Sequence, residues 1–459
     1  MEFDVIVIGG GPGGYVAAIR AAQLGAKVAV VEKDSLGGTC LNRGCIPTKA
    51  LVASAELVHQ LKNAATFGIN VDGFSVDFRR VMARKEEIVE GLVKGIAFLL
   101  SRHKIESVSG FGKLVAPGTV EVHKEDGTVE QLTGKNIIIA TGSEPALITA
   151  LGYNGKTVIT SNEALELEDI PKSLLIIGGG VIGCEFASIF NEFGTEVTIV
   201  EAMPNILPLV DNEISRRLTM VMKKKGIAIK TKAMISSVVE EEGGIKATLE
   251  TGEEIRAEKA LISIGRTFNT KGLGLENVGV ALGAKGEILV DDYLRTNVPG
   301  IYAIGDVTNK IQLAHVASAQ GLVAVENIMG GNRVMDYSVV PSCIFTMPEI
   351  GTVGITSQEA KARGINAKVG KFPFTALGKA RCMEETDGNV KIITDAETDK
   401  VLGVHIFGPH ATDLIAEAAL AIQLGATAKE IAQTIHAHPT LAESMMEAAE
   451  NVHGLSIHA

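Results

Sequence analysis

Two cysteines, Cys40 and Cys45, lie in the segment GGTCLNRGCIPTK at residues 37–49. A regular helix would separate their Cα atoms by about 7.5 Å, beyond the ~7 Å within which two cysteines form a disulfide. Gly44 and Pro47 permit or enforce an irregular backbone, so the segment favours a break that brings the thiols together. Two other interpretations stay open. One is a zinc site, although no second Cys or His pair lies nearby in sequence, and the other is a pair of buried, inert thiols.

Chemistry on disulfides also requires a base with a pKa near neutrality, because only a thiolate attacks sulfur. The segment HAHPTLAE at residues 436–443 offers His438, whose backbone Pro439 restricts to an extended form or a cis bond. Glu443 is placed to orient and polarise the imidazole. The alternative is a capping box formed by Thr440 and Glu443, and one carboxylate can serve both roles. His436 is a weaker candidate for the base and can simply support the turn.

Residues 4–33 and 173–202 repeat one pattern. Each copy has an apolar run, a G-x-G-x-x-G loop, a helix-period segment closed by glycine, and a second apolar run that ends in glutamate. The loop glycines are Gly9, Gly11 and Gly14 in the first copy and Gly178, Gly180 and Gly183 in the second. Strand, loop, helix and strand in this order are typical of dinucleotide-binding folds, where backbone N–H groups at the helix N-terminus hold the pyrophosphate. The sequence therefore predicts two bound dinucleotides.

The glutamates that end the two copies, Glu32 and Glu201, are placed to accept hydrogen bonds from adenosine ribose hydroxyls. Residues 202–208 contain no Arg or Lys that could receive a 2′-phosphate, so the second site favours NAD over NADP. The alternative is that both glutamates are merely solvated. A dithiol can pass two electrons to a flavin, and a flavin can pass a hydride to NAD⁺, which would explain two nucleotide sites in one chain.

Composition limits the classes of protein that remain. The chain has 459 residues, 43 basic and 54 acidic, for a net charge of −11, which argues against nucleic acid as a partner. The N-terminus has no basic region of a signal peptide, and no apolar run approaches the ~18 residues that span a bilayer. We therefore expect no membrane association and a cytoplasmic location. Five cysteines are too few for a disulfide scaffold, and we expect three of them to be inert: Cys184, Cys343 and Cys382.

Taken together, these motifs resemble the pyridine nucleotide–disulfide oxidoreductases across essentially the whole chain. Four further segments carry the resemblance: ATGSEP at 140–145, IGR at 264–266, IYAIGDV at 301–307 and GVHIFGPHATDLIAEAALAI at 403–422. The resemblance implies FAD and NAD as cofactors and a homodimer. It is strongest with the branch that oxidises dihydrolipoamide to lipoamide and reduces NAD⁺, acting on lipoyl domains of 2-oxo acid dehydrogenase or glycine-cleavage complexes.

The resemblance also implies individual roles. Cys40 and Cys45 would form the redox-active disulfide, with Cys40 open to the substrate and Cys45 nearest the flavin, giving the charge-transfer interaction. His438, supported by Glu443, would accept the proton and would serve the partner subunit. The implied FAD contacts are Gly9, Gly11, Gly14, Glu32, Lys33, Gly38, Thr39, Lys49, Gly112, Thr141, Gly142, Ser143, Asp306, Leu313, Ala314 and His315. The implied NAD contacts are Gly178, Gly180, Gly183, Glu185, Glu201 and Gly265, and no metal is expected.

The expected fold is α/β, with two Rossmann-like domains, a central domain and a C-terminal α+β domain for dimerisation. The expected boundaries are 1–145 for FAD, 146–267 for NAD, 268–337 for the central domain and 338–459 for the interface domain. In the last of these, Val390–Thr394 and Val401–Phe407 are predicted to be strands. Two alternatives remain for the function: a related glutathione or mercuric reductase, and an FAD- and NAD-binding redox sensor without turnover.

Overall fold

The first repeat folds as strand, helix and strand in the computed structural model, which describes residues 2–459. Its elements are β1 (Glu2–Ile8), α1 (Pro12–Gln23) and β2 (Val28–Glu32). Buried Val and Ile side chains fill both strands, as parallel strands covered on two faces require. Gly25, with φ of +90°, follows the end of the helix in the left-handed conformation that glycine adopts most readily.

Up to residue 146 the further elements are α2 (Gly38–Arg43), α3 (Cys45–Lys62), α4 (Phe78–Arg102), β3 (Glu106–Ser109), β4 (Phe111–Ala116), β5 (Thr119–His123), β6 (Val129–Ile139) and β7 (Ser143–Pro145). Residues 147–264 contain β8 (Val158–Ile159), α5 (Ser161–Ala164), β9 (Ser173–Ile177), α6 (Val181–Glu192), β10 (Glu196–Glu201), α7 (Asn212–Lys224), β11 (Ala228–Thr231), β12 (Ile235–Glu241), β13 (Gly244–Leu249), β14 (Glu254–Ala257) and β15 (Lys259–Ile262).

The chain continues with β16 (Arg266–Phe268), α8 (Leu275–Val278), β17 (Ile301–Ala303), α9 (Ala314–Ile328), β18 (Ser342–Ile344), β19 (Glu349–Gly354), α10 (Ser357–Ala362), β20 (Ala367–Pro373), α11 (Gly378–Cys382), β21 (Asn389–Asp395), β22 (Val401–Gly408), α12 (Ala411–Leu424), α13 (Ala428–Gln433) and α14 (Glu443–Val452).

These elements belong to two compact units. Unit 1 comprises the chain up to Ala50, Met82–Ala146 and Gly265–Asp336. Unit 2 comprises Leu51–Val81, Leu147–Ile264 and Tyr337–Ala459.

The main sheet of unit 1 has the strand order β3-β2-β1-β6-β5-β4, and β17 also pairs with β6. β1 pairs in parallel with both β2 and β6, whereas β5 runs antiparallel to its two neighbours, β4 and β6. Apolar residues of the sheet, such as Ile6, Leu114 and Ile137, form one core and are fully buried. The carboxyl ends of the parallel strands β1 and β2 therefore present the first glycine loop and Glu32 at one edge.

Unit 2 contains the second repeat as β9, α6 and β10. They belong to a parallel sheet with the order β11-β10-β9-β15-β8. The meander β12-β13-β14 closes a core with this sheet that includes Leu175, Ile245 and Ala260. The strand, helix and strand pattern is thus confirmed in both repeats, and with it the α/β fold that contains two Rossmann-like halves.

The C-terminal part of unit 2 is an antiparallel sheet with the order β18-β19-β22-β21-β20. The two predicted strands of this part are confirmed as β21 and β22, which pair with Lys391 opposite His405. Phe372, Ile406 and Met445 are among the buried residues that pack α12 and α14 onto the sheet. Within residues 2–459, no helix has both the length and the apolar character needed to cross a membrane.

Candidate active site

The first glycine loop combines two crowded glycines with one open glycine. A Cβ atom at Gly9, where φ is +107°, would lie 2.3 Å from the carbonyl oxygen of Ala140. A Cβ atom at Gly14 would lie 1.8 Å from the carbonyl oxygen of Gly9, whereas one at Gly11 would meet nothing closer than 3.8 Å. Gly11 also precedes the first residue of α1. The open position therefore lies at a helix N-terminus, where backbone N–H groups can bind a pyrophosphate.

The second glycine loop has the same construction in unit 2. A Cβ atom at Gly178 would lie 2.5 Å from the carbonyl oxygen of Ser263, and one at Gly183 would lie 2.1 Å from that of Gly178. A Cβ atom at Gly180, which precedes α6, would have no neighbour within 4 Å. Both loops therefore have the shape of dinucleotide cradles, and the residues present fit the two cofactors that the sequence predicts.

The glutamates that end β2 and β10 bind the backbone of their own loops. Glu32 accepts hydrogen bonds from the N–H groups of Gly10 at 2.6 Å and Asp34 at 2.9 Å. Glu201 accepts equivalent bonds from Gly179 and Met203, both at 2.7 Å. These contacts fix each carboxylate beside its loop, and a carboxylate has further acceptor sites for a ribose. The ribose contact itself stays a prediction.

The two thiols lie on either side of a break between helices. α2 ends before Gly44, whose φ of −148° and ψ of −115° are not helical, and α3 begins at Cys45. Thr48 donates from its hydroxyl to the carbonyl of Gly44 at 2.7 Å and fixes the break. The interrupted helix is therefore confirmed.

The break brings the sulfur atoms of Cys40 and Cys45 into contact. Their hydrogen bond and the burial of Cys40 both raise the pKa of the Cys40 thiol, while Lys49, one turn into α3, acts in the opposite direction. Both cysteines are present as thiols here, so their pairing in a disulfide stays a prediction. Among the described residues, no group of three His, Cys, Asp or Glu side chains is arranged to hold a metal ion.

The start of α2 also packs on the first nucleotide loop. Gly38 has φ of +57°, and a Cβ atom there would lie 2.8 Å from the Cα atom of Gly11. Thr39 follows in α2, next to Cys40. Asn42 donates to the carbonyls of Leu36 and Gly38, both at 3.0 Å, and so holds the start of α2 in place.

Three predicted flavin contacts lie in the turn after β6. Thr141 and Asn269 exchange hydrogen bonds of 2.8 and 3.0 Å. Gly142 has φ of +68°, and a Cβ atom there would meet nothing within 4 Å. The hydroxyl of Ser143 donates to Asp306 at 2.5 Å.

The other predicted flavin contacts have structural neighbours of their own. Lys33 pairs with Glu144 at 3.6 Å, and a Cβ atom at Gly112, in β4, would lie 3.0 Å from Ile8. Leu313 precedes α9, which begins with Ala314 and His315.

Two predicted NAD contacts differ in their surroundings. Glu185, on α6, is buried, and its carboxylate accepts from the N–H of Phe345 at 2.9 Å. Gly265 has φ of +129°, and a Cβ atom there would meet no atom within 4 Å. Gly265 therefore presents open backbone, as a nucleotide contact requires.

The candidate base belongs to unit 2. His438 Nδ1 lies 2.8 Å from Glu443 Oε1, and the imidazole is 78% exposed. Glu443 Oε2 accepts from the N–H of Thr440 at 2.9 Å. Burial raises the pKa of Glu443, but the bonds from Thr440 and His438 outweigh it, so the pKa is lowered. An ionised Glu443 therefore holds the ring of His438, and Nε2 is left for proton transfer.

The prediction of a capping box formed by Thr440 and Glu443 is wrong, because only one of its two hydrogen bonds forms. α14 begins at Glu443 itself, and the hydroxyl of Thr440 donates to the carbonyl of Ala437 at 2.7 Å. Only the contact from Glu443 back to the Thr440 N–H forms, since a hydroxyl turned towards Ala437 cannot cap the helix. The weaker candidate His436 is buried against Glu417 at 3.0 Å, which suits support of the turn.

Sequence reasoning missed several residues that hold these groups. Asn42 fixes the loop before the thiols, Gln320 accepts from the N–H of Gly305 at 2.6 Å, and Arg266 binds Ser143. Arg266 lies in the quoted IGR segment, but its partner is more than a hundred residues away in sequence. No local signal could have identified that contact.

Comparison with known proteins places the chain in a family. The model described as pyridine nucleotide-disulphide oxidoreductase matches residues 3–321, and the dimerisation-domain model of the same family matches residues 340–449. The chain is 47% identical to dihydrolipoyl dehydrogenase of Bacillus subtilis (strain 168), with 100% of this chain and 99% of the relative covered. It is also 47% identical to dihydrolipoyl dehydrogenase of Chlamydia pneumoniae, with 98% and 96% covered.

A solved structure, LpdA from Mycobacterium tuberculosis, superposes with a TM-score of 0.92 at 31% identity and covers 97% of this chain and 99% of its own. The chain belongs to the pyridine nucleotide-disulphide oxidoreductase family.

Proposed function

We propose that this protein oxidises dihydrolipoamide to lipoamide and reduces NAD⁺, in keeping with its similarity to proteins named dihydrolipoyl dehydrogenase. The observation that carries the proposal is the contact between Cys40 and Cys45 across the break at Gly44, directly behind the first nucleotide loop. Glutathione and mercuric reductases are less suitable, because Glu201 and the residues after it favour NAD, and none of the relatives compared above has either name. A sensor without turnover would not need the pair of His438 and Glu443.

The cofactors follow from the family and fit the two cradles. FAD is held by the first glycine loop with Glu32, Lys33, the residues around the thiols, and the turn that leads to Asp306. NAD is held by the second glycine loop with Glu185, Glu201 and Gly265. When bound, FAD accepts two electrons from the thiol pair and transfers a hydride to NAD⁺.

The residues of this chain do the sulfur chemistry and the proton transfer. A thiolate of dihydrolipoamide attacks Cys40 Sγ, the bond from Cys40 to Cys45 breaks, and Cys45 leaves as a thiolate. The second thiolate of the same substrate molecule then attacks the substrate sulfur that is bound to Cys40. The mixed disulfide breaks, lipoamide forms, and Cys40 is released as a thiolate. His438 Nε2 accepts the substrate proton, and Glu443 stabilises the imidazolium that results.

The protein acts as a homodimer, in which each subunit's His438 serves the thiol pair of the partner subunit. Its substrate is dihydrolipoamide on lipoyl domains of 2-oxo acid dehydrogenase or glycine-cleavage complexes, and its location is the cytoplasm. The division into FAD, NAD, central and interface domains at residues 145, 267 and 337 is part of the same proposal.

Replacement of one thiol tests the proposal. Cys45→Ser should lower NADH formation from dihydrolipoamide by on the order of 10³-fold or more, because no disulfide can form, while FAD stays bound. NADH absorbance measures turnover, and the flavin spectrum measures occupancy. Cys382→Ser, at an exposed thiol of α11, is the control and should keep full activity.

The substrate is tested with the unmodified protein. Dihydrolipoamide with NAD⁺ should give turnover, whereas glutathione disulfide with NADPH should not. Full activity of the Cys45→Ser variant, or preference for glutathione disulfide, would contradict the proposed function.

A further inference from the structure

Arg266 lies where the chain returns to unit 1. Unit 1 is interrupted after Ala146 and resumes at Gly265. At this point β7 and β16 pair antiparallel, with Arg266 opposite Pro145, and the N–H of Ala146 donates to the carbonyl of Gly265 at 2.9 Å. These short strands therefore join the two ends of the inserted residues 147–264.

The guanidinium of Arg266 donates two hydrogen bonds to Ser143. Nε donates to the hydroxyl of Ser143 at 2.6 Å, and Nη2 donates to its carbonyl, also at 2.6 Å. The Ser143 hydroxyl donates a hydrogen bond to Asp306 Oδ2, which lies 3.8 Å from Arg266 Nε. The three side chains form one chain of hydrogen bonds from β16 to the turn that contains Asp306.

The three side chains of this arrangement are largely shielded from solvent. The side chain of Arg266 is 15% exposed and that of Asp306 is 25% exposed, and Ser143 is buried. Burial lowers the pKa of Arg266, whereas the negative charges of Asp306, Glu144 and Cys45 oppose that effect. A largely buried cation of this kind needs its partners, because a donor left without an acceptor away from water destabilises the fold.

We propose that Arg266 is a positioning residue that sets Gly265, a predicted NAD contact, relative to Asp306, a predicted flavin contact. This inference rests on the proposed function, in which electrons move from the flavin to NAD⁺. Arg266 directly follows Gly265, whose open backbone has no side chain to hold it in place. The two hydrogen bonds from the Arg266 guanidinium to Ser143 supply that restraint. Two parallel hydrogen bonds fix the orientation of the guanidinium, whereas a single hydrogen bond would let it rotate.

The expected consequence is confined to one half of the reaction. Hydride transfer requires the nicotinamide to lie close to the flavin, and a small misplacement is costly. Dihydrolipoamide reacts at Cys40, whereas the paired hydrogen bonds of Arg266 go to Ser143. The charge of Arg266, which acts on Cys45, is kept in Arg266→Lys. Loss of the two hydrogen bonds from Arg266 to Ser143 should therefore slow electron transfer between NADH and the flavin. Electron transfer from dihydrolipoamide to the flavin should be unaffected.

The test compares variants of the FAD-loaded protein by rapid mixing. Arg266→Met keeps the length of the side chain and removes its donors, and it should slow flavin reduction by NADH by on the order of 10- to 100-fold. Flavin reduction by dihydrolipoamide should stay within about twofold of the unmodified protein. Arg266→Lys keeps the charge but not the paired hydrogen bonds to Ser143 and should give an intermediate rate with NADH.

The control is Arg333→Met, which removes an exposed arginine of unit 1 that pairs with Glu326 at 3.1 Å. It should change neither half-reaction. Melting temperature and the visible circular dichroism of bound FAD report on folding and on the flavin site independently of turnover.

An Arg266→Met protein that matches Arg333→Met, or that loses both half-reactions equally, would overturn the inference. If Arg266→Met fails to retain FAD, Arg266→Lys replaces it, because it keeps the charge and removes the paired hydrogen bonds to Ser143. An equal loss of both half-reactions in Arg266→Lys would again overturn the inference, and a loss confined to the reaction with NADH would support it.

Failure of the proposed function is recognised separately. In that case the unmodified protein would be reduced by NADH but not by dihydrolipoamide. The comparison of Arg266→Met with Arg333→Met in the NADH half-reaction would still decide the role of Arg266.

Discussion

At the residue scale, short contacts to the backbone hold the reactive side chains. Glu443 divides its two oxygens between His438 and the N–H of Thr440. Glu32 and Glu201 use the same device on their own loops. The lowered pKa of Glu443 keeps its carboxylate ionised, which is the state that stabilises an imidazolium.

The variant Glu443→Gln tests the support that Glu443 gives to His438. A neutral amide stabilises an imidazolium less well, so turnover with dihydrolipoamide should fall by on the order of 10²-fold. Electron transfer from NADH to ferricyanide should persist, because it does not need the base. Because the pKa of Glu443 is lowered, its carboxylate should stay ionised at neutral pH, and its support of His438 should be lost only as the pH falls through that lowered value.

The matched control is Glu417→Gln, which alters the other His–Glu pair of this segment, at His436. It should affect stability more than the rate with dihydrolipoamide. Equal losses of turnover in Glu417→Gln and Glu443→Gln would contradict the role of Glu443.

At the element scale, three helix starts position the chemistry. α1 and α6 each begin directly after the open glycine of a nucleotide loop, and α3 begins at Cys45. The positive end of each helix dipole therefore faces the place where an anion or a thiolate is expected. The crowded glycines make the starts of α1 and α6 possible, because a Cβ atom at any of these four positions would lie within 2.5 Å of a backbone carbonyl oxygen.

Gly14→Ala tests the first of these starts. Its Cβ atom would lie 1.8 Å from the carbonyl oxygen of Gly9, so α1 must shift, at a cost of about 1–3 kcal/mol. We expect a lower melting temperature and fewer FAD molecules per chain, measured from the flavin absorbance.

Gly91→Ala, in α4, is the control for helix propensity. A Cβ atom there would meet nothing within 4 Å, so stability should rise by up to about 1 kcal/mol with unchanged FAD content. A Gly14→Ala protein with full FAD and an unaltered melting temperature would show that the loop is not a tight cradle.

At the scale of the whole molecule, a buried ion pair connects distant parts of unit 2. Lys391 lies 2.8 Å from Asp211, and both side chains are at most 5% exposed. Asp211 also caps α7 and accepts from the N–H of Ser357 at 3.0 Å. The loop that follows Glu201 is thereby anchored to the C-terminal sheet.

This pair predicts a dependence of stability on pH. Burial raises the pKa of Asp211, but Lys391 and Ser357 lower it more, to about 2 from the usual 3.8. The stabilisation is therefore complete above the usual value and is lost as the pH falls from about 4 towards 2, and it amounts to about 2 kcal/mol.

Urea denaturation of the unmodified protein and of the double variant Asp211→Asn/Lys391→Met measures this effect. The difference between their free energies of unfolding should shrink as the pH falls from about 4 towards 2, because only the unmodified protein has the pair and loses its stabilisation. The double variant removes both charges and so leaves neither of them buried without a partner. Lys391→Met alone should be much less stable at neutral pH, by about 3–5 kcal/mol, since it leaves the buried charge of Asp211 without its cation. A difference that does not change with pH would contradict the assignment.

The sequence by itself determined the local parts: both strand–helix–strand repeats, the interruption between Cys40 and Cys45, the strands β21 and β22, and the proximity of His438 to Glu443. All of these depend on spacing along a short stretch of chain, where glycine, proline and apolar periodicity act directly on the backbone. Only the tertiary structure decided that Arg266 binds Ser143 beside Asp306 and that Lys391 is buried against Asp211. These contacts join residues through packing, and burial rather than local propensity selects which polar groups must be paired.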